Sequence, residues 1–201
     1  AVCSDAFHYI WSKALLAREM LRIIDDAGVA ALTHAHNARQ ENPSAGMPLP
    51  PEGYRDVFEG METRVFSERA LLADVVGGHL DLSASHETDM LDEDPALTAV
   101  AATRADVFAD RTLAHDNPTA PGVLRLNPLY DVARSGTRAT LTLRFPSDEY
   151  AREYGACLRY LPDLLTIDAA VLDALERREP HPALPDLAAR WIVLDLPDRY
   201  L

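Results

Sequence analysis

The stretch that most constrains this chain is its first thirty-seven residues, AVCSDAFHYIWSKALLAREMLRIIDDAGVAALTHAHN. Ala1–Ser4 is short and apolar, which suits a buried parallel strand. A polar turn with Asp5 and His8 follows, and Ser12 stands where a helix cap belongs. Leu16, Met20, Ile23 and Ile24 then recur on one helical face, with Arg18, Glu19, Arg22 and Asp25 off it. Gly28 reads as the helix stop, and Val29–Thr33 as a second strand. The spacing thus predicts one strand–helix–strand unit with its polar residues gathered beyond the strand ends. In an open α/β sheet, ligands bind there.

Two groups of residues occupy that edge. Asp5 and His8 lie three residues apart in the first turn; a carboxylate there can accept hydrogen bonds, and an imidazole can take a proton near neutral pH. Thr33-His34-Ala35-His36-Asn37 ends the second strand. His34 and His36, at i and i+2 on extended backbone, point to one side, which suits a metal ligand pair or two contacts to one substrate. A metal would need a third ligand that the sequence does not name, so no metal is expected.

The remaining chain is read as follows. Ala38–Pro51 is a Pro- and Gly-rich loop, Glu52–Phe58 a short helix, and Thr63–Phe66 a strand. Ser67 caps a helix over Glu68–Val76, ended by Gly77-Gly78. The acidic run to Asp94, with Asp89, Asp92 and Glu93, reads as a solvated loop lacking calcium-loop spacing. Pro95–Phe108 shows helical spacing, and His115–Gly122 is polar. Leu129–Ala133 and Thr140–Phe145 flank Ser135-Gly136 as an antiparallel hairpin. Helices are expected over Asp148–Tyr160 and Ile167–Arg177, with a last strand over Trp191–Leu196. Tyr150, Tyr154 and Tyr160 read as a packed helix face.

Composition removes several classes. The net charge of −13 opposes binding to nucleic acid or anionic lipid, and no run reaches the roughly 20 apolar residues of a membrane span. Cys3 and Cys157 form no CxxC pair and read as reduced thiols of a cytoplasmic protein. Lys13 is the single lysine among many arginines, a bias of GC-rich, bacterial coding. GxGxxG, Walker, GxSxG and HExxH motifs do not occur.

VCSDAFHYI, followed by MLRIIDDAGVAALTHAHN, resembles the middle of class I S-adenosylmethionine-dependent methyltransferases. There the fourth strand ends in a short polar motif, and a helix leads to the fifth. The resemblance covers roughly residues 1–80. It implies an α/β fold, the C-terminal half of a doubly wound Rossmann-like sheet over residues 1–82, with an α+β extension over 83–201. The family's glycine-rich cofactor loop has no counterpart, so a missing N-terminal half or a second chain is expected to cover the first strand.

The same resemblance implies that Ser4, Asp5, Ala6 and Phe7 meet the methionine end of S-adenosylmethionine. It makes His8 and Asp5 catalytic, and it turns His34, His36, Asn37 and Tyr9 toward a small-molecule acceptor. The loop Asn42–Pro51 would be an acceptor lid. Two further readings stay open: a non-catalytic, methyltransferase-like partner subunit, and an unrelated α/β hydrolase or metal enzyme built on His34, His36 and Asp5.

Overall fold

The computed structural model describes residues 1–42, 44–84, 87–113 and 122–197. It is a mixed α/β protein with several sheets. Two compact units divide the chain: Ala1–Leu113 with Arg152–Cys157, and Ala114–Ala151 with Leu158–Leu201. Among the described residues no helix is long and apolar enough to cross a membrane.

The first unit opens with β1 (Val2–Ser4), a 3-10 turn over Phe7–Tyr9, α1 (Lys13–Ile23) and β2 (Val29–His36). The strand–helix–strand expectation holds, and β1 pairs parallel with β2 from Val2↔Ala31 to Ser4↔Thr33. The details differ. β1 is an edge strand rather than a buried one, and Val2 is 71% exposed. Ser12 occupies the N-cap position of α1 without a side-chain bond. The packed face of α1 centres on Ala17 and Met20, while Ile23 is exposed. The helix stops at Ile23, well before Gly28. Gly28 serves a close approach instead, because a Cβ there would lie 2.6 Å from that of Ile24.

Next come α2 (Pro51–Asp56), β3 (Glu62–Ser67), α3 (Glu68–Gly77) and β4 (His79–Asp81). Pro51 begins α2, where a missing N–H costs nothing. The reading of α3 holds in detail: Ser67 Oγ accepts from Ala70 N at 3.3 Å, and Gly78 takes the left-handed conformation at the C-cap.

β5 (Ala96–Ala102) overturns the expected helix over Pro95–Phe108. Its residues are all buried, and it runs antiparallel to β2 on one side and to β3 on the other. The sheet order is β1-β2-β5-β3. A strand covered on both faces loses period-two alternation, so ALTAVAA cannot be told from a buried helix by periodicity. The expected boundary at residue 82 therefore falls inside this unit, whose sheet takes an inner strand from beyond it. β6 (Asp110–Thr112) pairs with β4. The core gathers Phe7, Met20, Leu32, Tyr54, Phe58 and Leu97.

The second unit holds β7 (Gly122–Leu126), β8 (Tyr130–Ser135) and β9 (Arg138–Leu143). β8 and β9 form the expected hairpin, with Gly136 at positive φ in its turn. The polar stretch His115–Gly122 lies outside the described residues up to position 121. α4 (Asp148–Tyr154) ends one residue before Gly155, short of the expected Tyr160. It starts in the second unit and finishes in the first. β10 (Leu164–Asp168) was not expected; it extends the hairpin into a three-stranded sheet by pairing with β9. Its last residue, Asp168, caps α5 (Ala169–Arg177) by accepting from Ala170 N at 2.9 Å, so this helix begins later than Ile167. α6 (Leu184–Ala189) and β11 (Val193–Pro197) follow, and β11 pairs with β7.

Because β5 is an inner strand, truncating its Leu97, which is fully buried, is expected to cost about 2–5 kcal/mol. Urea unfolding of Leu97→Ala measures this; a cost below about 0.5 kcal/mol would contradict the placement.

Candidate functional site

The site is built at the carboxyl ends of β1 and β2. Their parallel pairing brings Asp5 beside the end of β2, and Asp5 N donates to Thr33 O at 3.0 Å. β2 then departs from regularity. Its pairing with β5 steps from Leu32↔Ala99 to Ala35↔Leu97, so β2 carries one extra residue, a β-bulge. His34 and Asp5 both adopt left-handed backbone at φ 49°. Asp and His enter this region more readily than most residues, yet such positions cost of order 1–3 kcal/mol and collect at functional sites. Simple i, i+2 alternation is thus broken between the two histidines, and the bulge re-aims His34.

Glu68, the first residue of α3, holds His34 twice: Oε1 accepts its backbone N–H at 3.1 Å and Oε2 its Nδ1–H at 2.7 Å. Asn42 Oδ1 accepts from His36 Nδ1 and also from Ser44 N. The carbonyl of His36 accepts from the buried Tyr54 hydroxyl at 2.7 Å. Both imidazoles therefore commit Nδ1 to an oxygen and turn Nε2 elsewhere.

The two Nε2 atoms face Asp5 and Glu153, the latter from α4. His36 Nε2 lies 2.8 Å from Glu153 Oε1 and 3.4 Å from Asp5 Oδ1; His34 Nε2 lies 3.7 Å from Glu153 Oε1. Ser44 Oγ donates to the other Glu153 oxygen at 3.1 Å, and the Tyr154 hydroxyl to Asp5 Oδ2 at 3.2 Å. Tyr154 also stacks on His34. The side chains of His34, His36 and Glu153 are nearly buried, whereas that of Asp5 is 41% exposed and forms the open side.

Protonation follows these contacts. Burial acts to lower the pKa of His34, but the hydrogen bond to Glu68 and the charges of Glu68, Asp5 and Glu153 outweigh it and hold it above the ordinary imidazole value. His8 is pushed below that value, by burial first and then by His36. Cys157, whose Sγ donates to Glu68 at 3.6 Å, is pushed up to about 12 by burial and the Glu68 charge, so it remains a thiol. Cys3 and Cys157 are both free.

The other expected site residues divide. His8 lies against His36, with ring centroids 4.1 Å apart. It is 1% exposed, and neither ring nitrogen has a hydrogen-bond partner. Ser4 and Tyr9 are exposed and Ala6 half-buried, but Phe7 belongs to the core and does not line an open edge. Asn37 is also turned away from the cluster. Its amide donates to Leu91 O at 3.0 Å and Asp94 O at 2.9 Å, and Oδ1 accepts from Arg39 N at 3.0 Å. The acidic loop is correspondingly not all solvated: Asp94 is buried and takes Ser67 Oγ at 2.9 Å and Arg69 at 3.0 Å.

Sequence reasoning missed Glu68, Glu153 and Tyr154, and placed Asn42 in an acceptor lid rather than on His36. Glu68 follows no local motif. Glu153 and Tyr154 arrive from more than a hundred residues away, and tyrosines at helical spacing read as packing. Comparisons with protein-family models, with curated proteins and with solved structures found no match.

Replacing Asn37 with alanine strips the carbonyls of the 91–94 turn of a buried donor and is expected to destabilise the chain by about 1–3 kcal/mol. Thermal unfolding of Asn37→Ala checks this, and unchanged stability would return Asn37 to the list of ligand contacts.

Proposed function

We propose that this chain supplies the acceptor side of a class I S-adenosylmethionine-dependent methyltransferase acting on a small molecule. The observation that carries the reading is the convergence of Asp5, His8, His34 and His36 at the carboxyl ends of two adjacent parallel strands, joined by a helix. That is the ligand-binding edge of an open α/β sheet. The strand order supports it too. A doubly wound sheet can carry an antiparallel strand near its edge, and β5 runs reversed between β2 and β3. The methyltransferase resemblance expects β1 and β2 as its fourth and fifth strands.

Ser4, Asp5 and Ala6 are accessible where the methionine end of the cofactor would lie, so these residues fit it; Phe7 does not. S-adenosylmethionine, when bound, would supply an electrophilic methyl group. This chain's residues orient the acceptor and keep water from it. His8, whose pKa burial and then His36 hold below the ordinary imidazole value, is the base this reading assigns for the acceptor's proton. Asp5 orients the neighbouring His36. A GxGxxG loop does not occur in the 201 residues, so the activity requires that loop from strands that join this sheet. The free edge of β1, with the exposed Val2 and Leu15 and Ile23 on α1, is the surface offered for that joining.

Calorimetry tests the assignment. S-adenosylmethionine is expected to bind when a glycine-rich upstream half is present and not to the 201-residue chain alone. With both halves, His8→Ala is expected to lower turnover about 10²–10⁴-fold while leaving cofactor affinity within about threefold. Unchanged turnover removes His8 as the base, and no cofactor binding by the combined halves removes the methyltransferase reading.

A further inference from the structure

The cluster poses an electrostatic problem that its hydrogen bonds do not solve. In His34 and His36 the Nδ1 proton is committed to Glu68 and Asn42. A neutral histidine then presents a lone pair at Nε2. Both lone pairs face carboxylates, Glu153 for His34 and Glu153 with Asp5 for His36. Among the described residues, the ion pairs of Asp5, Glu68 and Glu153 are all with these histidines and include no arginine or lysine. Four electron-rich atoms therefore converge, all within 4.8 Å of one another, at a nearly buried place. A cation among them, either an added proton on an imidazole or a metal ion, would balance the carboxylates.

The geometry favours the metal. Tetrahedral nitrogen and oxygen ligands at about 2.0–2.1 Å from a metal stand about 3.4 Å apart. The contacts at 3.4 Å and 3.7 Å match that separation, and the second is too long for a hydrogen bond. His36 Nε2 stands within hydrogen-bonding reach of both Asp5 Oδ1, at 3.4 Å, and Glu153 Oε1, at 2.8 Å. The outer contacts are those of a metal site as well. Each histidine hands its remote nitrogen to an oxygen, and Ser44 and Tyr154 bind the spare carboxylate oxygens. Such partners fix the tautomer and aim the ligand. The left-handed backbone at Asp5 and His34 holds two of the four donors in place. An independent sign is His8, a buried imidazole without a hydrogen-bond partner, packed on the His36 ring.

We propose that His34 Nε2, His36 Nε2, Glu153 and Asp5 bind one divalent first-row transition-metal ion. Two imidazoles and two carboxylates suit zinc, iron or manganese rather than calcium or magnesium. Glu68 is a positioning residue that orients His34, and Cys157, a thiol on Glu68, stays outside the ligand set. Resting on the methyltransfer reading, this names the acceptor as a molecule whose oxygen joins the four protein ligands as a fifth, on the exposed side of Asp5.

The test is zinc titration of the chelator-treated 201-residue chain by calorimetry. One zinc per chain is expected. His36→Ala and Glu153→Gln are expected to weaken binding at least a hundredfold, and Glu68→Gln about 10–100-fold. His79→Ala, at an exposed histidine, is expected to bind as the unaltered chain does. Far-UV circular dichroism confines the comparison to folded variants. Binding well below one zinc per chain, or full affinity in a folded His34→Ala/His36→Ala double variant, overturns the site. Zinc binding without cofactor binding by the combined halves removes methyl transfer and leaves the metal site standing; cofactor binding without zinc does the reverse.

Discussion

Glu68 bridging to His34 is the interaction on which the first unit's polar edge depends. One carboxylate takes both the backbone N–H and the ring N–H of a residue in strained, left-handed backbone. It can do so because it opens α3, where the helix dipole favours a negative charge. The preceding Ser67 caps that helix and also donates to Asp94, which Arg69 holds from the other side. The junction of β3 and α3 is thereby tied to the end of β2 and to the acidic turn. Asn37 fastens the same turn from the residue after β2.

That scaffold explains how so many ionisable groups share one place. The cost of burying a charge is met only when it is paired and hydrogen-bonded. Glu68 satisfies this with two donors, and Asp94 likewise. Glu153 and Asp5 each have a hydroxyl on one oxygen and imidazole Nε2 atoms near the other. Among the described residues neither is paired with an arginine or lysine, and the proposed cation would supply that charge at the edge where the proposed acceptor sits. His8, packed on the His36 ring, has no hydrogen-bond partner among the described residues, and burial lowers its pKa.

Much of the first unit was legible. The apolar spacing announced β1, α1 and β2, and Ser67 with Gly77-Gly78 announced α3 almost to the residue, because caps and glycine stops are local chemistry. β5 was not legible. Alanine favours helices, and a strand covered on both faces carries no alternation. The second unit's hairpin was legible from Leu141 and Leu143 alternating with threonines, but β10 lay in the gap between two expected helices and ran into the start of the second. Asp5, His8, His34 and His36 were expected together because strand ends concentrate ligand contacts, and the structure brings them side by side. Asn37 was expected among them, but sequence does not reveal the four backbone groups, the carbonyls of Leu91, Asp92 and Asp94 and the Arg39 N–H, that its side chain bonds.

The sequence by itself determined which residues gather at the carboxyl edge of β1 and β2, because parallel strands joined by a helix bring their ends together. Only the tertiary structure decided what those residues face. A bulge in β2 turned His34, Glu68 locked it from α3, and Glu153 and Tyr154 came from α4, far along the chain. Local patterns record how a segment packs on its own neighbours. They do not record a carboxylate that meets two histidines across more than a hundred residues, since that contact is made by the fold and leaves no period in the chain.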